Sequence, residues 1–216
     1  MIGSAPDTGY RDQVRDDVLH LVAPGARLLD LGGGHGRTAA ELKRHGICQF
    51  AALIDLAAPQ AGDGLDASLR GDLNTPGLVE QFAAEHGPFD TVLCLDSLEH
   101  LIAPERTLAE AFAALKPGGQ LVASIPNVRH CSVLIPLLFK GRWDYAETGV
   151  LDRTHLRFFT RQSASALIEG AGFRIERVQP SATATRWQRL ANLLTLGLLR
   201  DLFTMQYFFA ARRPGP

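Results

Sequence analysis

Short, continuously apolar runs recur along the chain, each ending in an acid, a glycine or a turn, and most followed by a helical segment. The runs are Arg27–Leu31, Gln49–Ile54, Ala67–Arg70, Phe89–Leu95, Gln120–Ile125, Phe173–Val178 and Gln206–Ala211. Unbroken apolar runs, rather than alternating ones, belong to strands covered on both faces. Helical patterning falls between them over Thr38–His45, Leu78–Glu85, Glu105–Leu115 and Ser163–Glu169, with glycine or proline just beyond each. Two further helices are read nearer the ends, an amphipathic one over Asp7–Ala23 and a nearly all-apolar one over Trp187–Phe203. Strands alternating with helices predict an α/β fold, a doubly wound and mostly parallel sheet with helices on both faces. A length of 216 residues suits one such domain over residues 1–216.

Composition narrows the function class. Hydrophobic residues make up 46% and charged residues 21%, which is ordinary for a globular protein. Lys plus Arg number 22 against 23 Asp plus Glu, so no global field favours a nucleic acid backbone. Three cysteines without paired spacing fit a reducing cytoplasm, with neither a disulfide framework nor a zinc site. Met1–Arg11 lacks the apolar centre of a signal peptide, and Leu190–Leu199 is too short to cross a bilayer. An apolar helix over Trp187–Phe203 suits core or a homodimer face better than a membrane surface.

In open parallel sheets, ligands bind beyond the carboxyl ends of the strands. Those tips are Asp30–Gly36, Asp55, Asp72, Asp96–His100 and Pro126-Asn127. Gly32, Gly34 and Gly36 alternate in a strand-to-helix turn, where the main chain can approach a ligand and the helix N-terminus favours negative charge. A dinucleotide fingerprint needs a small residue where Arg37 stands. Asp55, at the end of the next strand, can accept hydrogen bonds from both hydroxyls of a ribose, so its loss costs affinity rather than stability on this reading. Asp72 can accept an adenine amino group, with Leu73 beside it.

LLDLGGGHG resembles the first motif of the class I S-adenosylmethionine-dependent methyltransferases, with Asp30, Gly32, Gly34 and Gly36 in the D-x-G-x-G-x-G pattern. Asp55 and Gly71-Asp72 match the family's ribose and adenine positions, and FDTVLCLDSLEHL and LKPGGQLVASIPN match its fourth-strand and fifth-strand motifs. The resemblance spans nearly the whole chain. It implies a Rossmann-like seven-stranded sheet with the last strand antiparallel. It also implies S-adenosylmethionine as cofactor, held by Asp30, Gly32, Gly34, Gly36, Asp55, Asp72, Leu73 and Asp96. Gly33 departs from the family, where cysteine or alanine is common.

On the acceptor side stand Asp96, Glu99 and His100, the expected catalytic residues. Asp-x-x-Glu-His predicts two carboxylates and an imidazole on one short helical turn. His100 is the natural general base for a hydroxyl acceptor. The element resembles the E-x-x-E-H of ubiquinone-pathway O-methyltransferases, which implies an optional divalent metal. One short motif gives an incomplete metal shell, so a simple base is preferred. The long segment Asn127–Thr160 reads as an insertion or lid over the acceptor. It resembles stretches in bacterial methyltransferases of surface-polysaccharide and methionine-pathway gene sets. Asn127, Arg129, Tyr145, His155 and Arg157 are its candidate substrate contacts, while Leu156, Phe158 and Phe159 read as core. The expected reaction is methyl transfer to a hydroxyl of a small molecule or sugar. The rivals are a silent S-adenosylmethionine-binding module and a nicotinamide-dependent oxidoreductase, which Arg37 disfavours.

Overall fold

A computed structural model describes residues 14–57, 64–181, 192–193, 195–197 and 199–215. Seven strands form one sheet: β1 (Ala26–Leu31), β2 (Cys48–Asp55), β3 (Ala67–Arg70), β4 (Phe89–Leu95), β5 (Leu115–Pro126), β6 (Arg174–Pro180) and β7 (Gln206–Arg212). Their order is β3-β2-β1-β4-β5-β7-β6. The pairs from β3 through β5 are parallel, and β7 runs antiparallel to both β5 and β6. The expected Rossmann-like architecture is therefore present. Its order reverses between β1 and β4, the switch point at whose carboxyl ends open α/β sheets bind ligands.

Why these strands read as unbroken apolar runs is visible in the pleat. Successive side chains enter opposite cores. Leu29, Leu31, Val92, Cys94, Leu121 and Ala123 face one core with Val79 and Phe82 of α2 (Leu78–His86), Leu108 of α3 (Pro104–Ala114) and Ile168 of α5 (Arg161–Gly170). Leu28, Leu93, Leu95 and Val122 face the other, against Ala39 and Leu42 of α1 (Arg37–Arg44) and against Val18 and Leu21. The start of α2 is tied to α3, because the Glu110 carboxylate accepts from the amides of Gly77 at 3.0 Å and Val79 at 3.2 Å. A side chain thereby satisfies donors that a helix start leaves free.

Several expectations change. The Asp7–Ala23 helix is, in its described part, a 3-10 helix over Asp16–Leu21. Residues 7–13 lie outside the described residues, as do 187–191, 194 and 198 of the Trp187–Phe203 segment, in which Arg200–Phe203 is a four-residue helix. Strand β5 begins at Leu115, before Lys116-Pro117-Gly118-Gly119, because Leu115 pairs with Phe89 across a bulge. Segment 127–160 contains a helix, α4 (Cys131–Lys140), started by the His130 side chain accepting from the Ser132 amide. Its outer side exposes Ile135, Leu138 and Phe139. Among the described residues, no helix is long and apolar enough to cross a membrane.

Candidate active site

The candidate site begins at the turn after β1. Gly32, Gly34 and Gly36 take φ of 79°, 63° and 85°, the left-handed region that favours glycine. The Gly34 amide donates to Asp55 Oδ2 at 2.8 Å, and the Ala57 amide donates to Asp55 Oδ1 at 2.6 Å. One buried carboxylate from β2 thus fixes both the glycine turn and the start of the following loop. Gly33 has its own reason to be glycine. A Cβ there would lie 2.2 Å from Asp30 Oδ2, inside the carboxylate.

Asp30 sits beneath that turn, 1% exposed, and neither carboxylate oxygen has a hydrogen-bond partner. Burial, helped by the neighbouring Asp55 charge, pushes its carboxyl up to about 7, against an opposing pull from Arg15. A buried, unpartnered carboxyl is a ready receptor for a cationic group. Leu73 is buried beside Gly32, its Cδ1 3.7 Å from where a Gly32 Cβ would stand. Asp72 is exposed, and its Oδ1 accepts from the Asn74 amide at 2.8 Å in a local turn.

Asp96, at the tip of β4, departs from the expected single helical turn. Its φ is 51°, uncommon for a residue with a side chain, and the 3-10 turn behind it covers only Leu98–His100. The carboxylate accepts from Arg15, Gln206 and Ser124 Oγ, the last at 3.1 Å. Asp96 therefore has these partners rather than a place in one acid–imidazole group with Glu99 and His100. Nothing in the spacing marks Arg15, Ser124 or Gln206. They meet at Asp96 only because β5 and β7 pair and the Arg15 segment closes over β4.

Glu99 and His100 instead meet His155. Glu99 is 1% exposed and both its carboxylate oxygens lack hydrogen-bond partners. Burial holds its pKa well above the usual carboxylate range, reinforced by the charge of Asp96. His155 Nε2 lies 4.0 Å from Glu99 Oε1, and the two imidazole rings meet edge to face with centroids 4.8 Å apart. His100 Nδ1 lies 3.2 Å from the Thr154 carbonyl, and His155 Nδ1 lies 3.0 Å from the Val150 carbonyl. A carbonyl only accepts, so in each neutral ring Nδ1 carries the proton and Nε2 keeps its lone pair. Burial, then the neighbouring His155, lowers the His100 pKa. One ligand atom from each of Glu99, His100 and His155 lies within 4.8 Å of the others.

The remaining substrate candidates divide. Asn127 is buried and donates to the Asp201 and Thr204 carbonyls at 2.7 and 2.8 Å, so its amide is spent clamping the fold. Arg129 pairs with Asp201 at 2.9 Å. Arg157 donates to the Ile102 carbonyl, and its amide with that of Leu156 donates to the Glu99 carbonyl. Tyr145 and Trp143 flank Phe158, with centroids 6.2 and 5.2 Å away, and Phe158 lies 6.3 Å from His155. Those aromatics make a wall beside the imidazoles. Phe159 packs partly against the core as expected, whereas Leu156 is 54% exposed. Leu156 is exposed because the amides of 156 and 157 both turn toward one carbonyl.

A family model described as a methyltransferase domain matches residues 8–178. The chain belongs to that family. It is similar to the ubiquinone biosynthesis O-methyltransferase of Xylella fastidiosa strain 9a5c, 29% identical over 178 residues, 76% of this chain and 71% of that one. Its fold is similar to that of an S-adenosylmethionine-dependent methyltransferase from Mesorhizobium loti, with TM-score 0.60 and 20% identity over 91% of this chain and 96% of that one. It is also similar to a Burkholderia thailandensis 1,6-didemethyltoxoflavin-N1-methyltransferase solved with S-adenosylhomocysteine, with TM-score 0.55 and 19% identity over 91% and 74% of the two chains. The protein is an S-adenosylmethionine-dependent methyltransferase.

Two outcomes follow for Asp55 and Asp30. Asp55→Ala removes the acceptor for two backbone amides, so it lowers the stability of the ligand-free enzyme by about 1–3 kcal/mol in urea denaturation. It weakens S-adenosylhomocysteine binding in calorimetry as well. Unchanged stability would return Asp55 to a purely ligand-facing role. The Asp30 carboxyl binds its proton more tightly folded than unfolded, where its value is 3.8. Its stabilisation is complete below that value, declines as pH rises, and is gone above about 7. Asp30→Asn should therefore melt at a higher temperature than wild type at pH ~8 and show a flatter decline from pH ~5 upward. Parallel melting curves for the two proteins would contradict this.

Proposed function

We propose that the enzyme transfers its methyl group to a hydroxyl of a small molecule or sugar, and that His100 is the catalytic residue which receives the hydroxyl proton. The observation that carries this is the imidazole pair at the β4 tip, with the Nδ1 of both rings turned to carbonyls and Nε2 left basic. Lowering of the His100 pKa keeps that ring neutral, the form a general base requires. The similar Xylella protein is named an O-methyltransferase, which agrees with a hydroxyl acceptor.

When bound, S-adenosylmethionine supplies a methyl group already activated by its sulfonium. The residues that would hold it are Asp30, Gly32, Gly34, Gly36, Asp55 and Leu73, with Asp72 at the adenine end. The fit rests on the orphaned Asp30 carboxylate, which suits a ligand carrying an ammonium, and on the left-handed glycines. Asp96, locked by Arg15 and Gln206, orients the β4 tip between the two ends of the site. Tyr145, Trp143 and Phe158 offer the acceptor an aromatic wall, which favours in-line approach of the oxygen. His100 Nε2 draws off the proton.

The test is turnover. A panel of phenols, alcohols and sugars is incubated with S-adenosylmethionine, and S-adenosylhomocysteine release is measured. Wild type turns over a hydroxyl acceptor. His100→Ala loses roughly 10²–10⁴ in kcat while its affinity for S-adenosylhomocysteine stays unchanged. Full turnover by His100→Ala, or turnover confined to amines, would overturn the reading.

A further inference from the structure

The ring of His100 is oriented from outside its own turn. Its Nδ1 gives a proton to the Thr154 carbonyl at 3.2 Å, and a ring held that way keeps the Nε2 lone pair for an incoming proton. Thr154 is exposed, as is Arg153 before it, so packing does not fix the plane of that carbonyl. The hold comes from Asp152. Its Oδ1 accepts from the Thr154 amide at 2.9 Å and from the Thr154 hydroxyl at 2.7 Å. Its backbone carbonyl accepts from the His155 amide at 3.0 Å, the other end of the peptide that faces the imidazole. The turn is anchored on both sides. Before it, the Ala146 amide donates to the Leu151 carbonyl at 2.8 Å and the Arg153 amide to the Ala146 carbonyl at 2.9 Å. After it, the amides of Leu156 and Arg157 reach the carbonyl of Glu99, beside His100 in the chain. Against the effect of burial, the bonds from Thr154 and then the neighbouring imidazoles keep the Asp152 carboxyl below its usual range, so it is ionised at neutral pH.

We infer that Asp152 is a positioning residue for proton removal: by clamping Thr154 it presents the Thr154 carbonyl to His100 Nδ1, and so fixes the tautomer that leaves Nε2 to accept the hydroxyl proton. Asp152 holds this role where His100 is the base, as proposed above. When the hydroxyl proton moves to Nε2 the ring becomes a cation, and its Nδ1–H bond to the carbonyl strengthens. The Asp152 charge favours that cation, opposing the lowering of the His100 pKa that burial and His155 impose. Without the carboxylate, the peptide facing the ring keeps only the bond from the His155 amide. The ring then exchanges its proton between the two nitrogens, and part of the enzyme presents an N–H where a lone pair is needed.

Long-range ¹H–¹⁵N correlation spectra of the ¹⁵N-labelled full chain test this, because they distinguish the two neutral tautomers of an imidazole without any turnover. The His100 signals are those missing from His100→Ala, and spectra are taken at a pH where the ring is neutral. Wild type should show Nδ1–H, and so should Asp152→Asn, which retains the acceptor oxygen. Asp152→Ala should give a mixture of tautomers. Its kcat on a hydroxyl acceptor should fall roughly 10–10²-fold, within what a lost general base costs, with KM changed less than about twofold. Its S-adenosylhomocysteine affinity should stay at the wild-type value. Where Asp152→Ala fails to fold by circular dichroism, Asp152→Glu replaces it. That variant keeps the charge but moves the oxygen by one methylene, and it should lose the same signature. An Nε2–H tautomer in wild type overturns the inference, as does an unaltered Nδ1–H tautomer in the folded alanine or glutamate variant. So does full turnover by Asp152→Ala when His100→Ala is inactive. A tautomer mixture in Asp152→Ala with full turnover by His100→Ala rejects His100 as the base and keeps Asp152 as the residue that sets its ring.

Discussion

The carboxylate of Asp55 is the interaction on which the glycine turn after β1 depends. It comes from the last residue of β2, and it accepts the amides of Gly34 and Ala57. That pair of bonds sets the glycine turn at its distance from the sheet. The turn in turn covers Asp30, whose unpartnered carboxyl stays protonated more easily than an exposed acid. A ligand that approaches this turn therefore meets backbone held rigidly from one strand and a latent negative charge held by the next. The opposing cost is that a buried, unpaired acid makes the ligand-free enzyme less stable at alkaline pH. Binding of a cationic cofactor is the natural compensation.

Glu99 holds its part of the fold in a different way. Its backbone carbonyl receives the amides of Leu156 and Arg157, so segment 127–160 is tied directly to the tip of β4. Its side chain is left free, and both histidines are turned so that their basic nitrogens are unspent. Asp96 supplies the rigid joint between the two ends. Its left-handed backbone is sustained by the amide's bonds to Ser124 and by the carboxylate's bonds to Arg15 and Gln206.

Much of the fold could be read in the sequence because parallel strands bury both faces. Phe89–Leu95 and Ala67–Arg70 coincide with β4 and β3, and the glycine turn falls where the first motif placed it. What escaped depends on tertiary pairing. Lys116-Pro117-Gly118-Gly119 reads as a turn, yet β5 already begins at Leu115 because Phe89 holds it. Helix α4 was hidden by Pro136 inside it and by an apolar face with no strong periodicity. The cluster of Glu99, His100 and His155 was half legible. Glu99 and His100 are adjacent in sequence, but His155 reaches them only through the Leu156 and Arg157 amides, which no local pattern encodes. Asp-x-x-Glu-His reads as one helical turn, whereas a φ of 51° at Asp96 sends its side chain to Arg15, Ser124 and Gln206. Asn127 reads as a substrate contact because it follows β5, and in the fold its side-chain amide donates to the carbonyls of Asp201 and Thr204.

The central claim is that the turn over Asp30 is the S-adenosylmethionine site. Calorimetric titration of S-adenosylhomocysteine and of NAD⁺ into wild type and Gly34→Val tests it most directly. Gly34 holds φ at 63° and gives its amide to Asp55, so a branched side chain there disturbs both the turn and its anchor. Wild type should bind S-adenosylhomocysteine and ignore NAD⁺, and a Gly34→Val protein with wild-type circular dichroism should bind neither. Undiminished S-adenosylhomocysteine affinity in that folded variant, or saturable NAD⁺ binding to the wild type, would contradict the account.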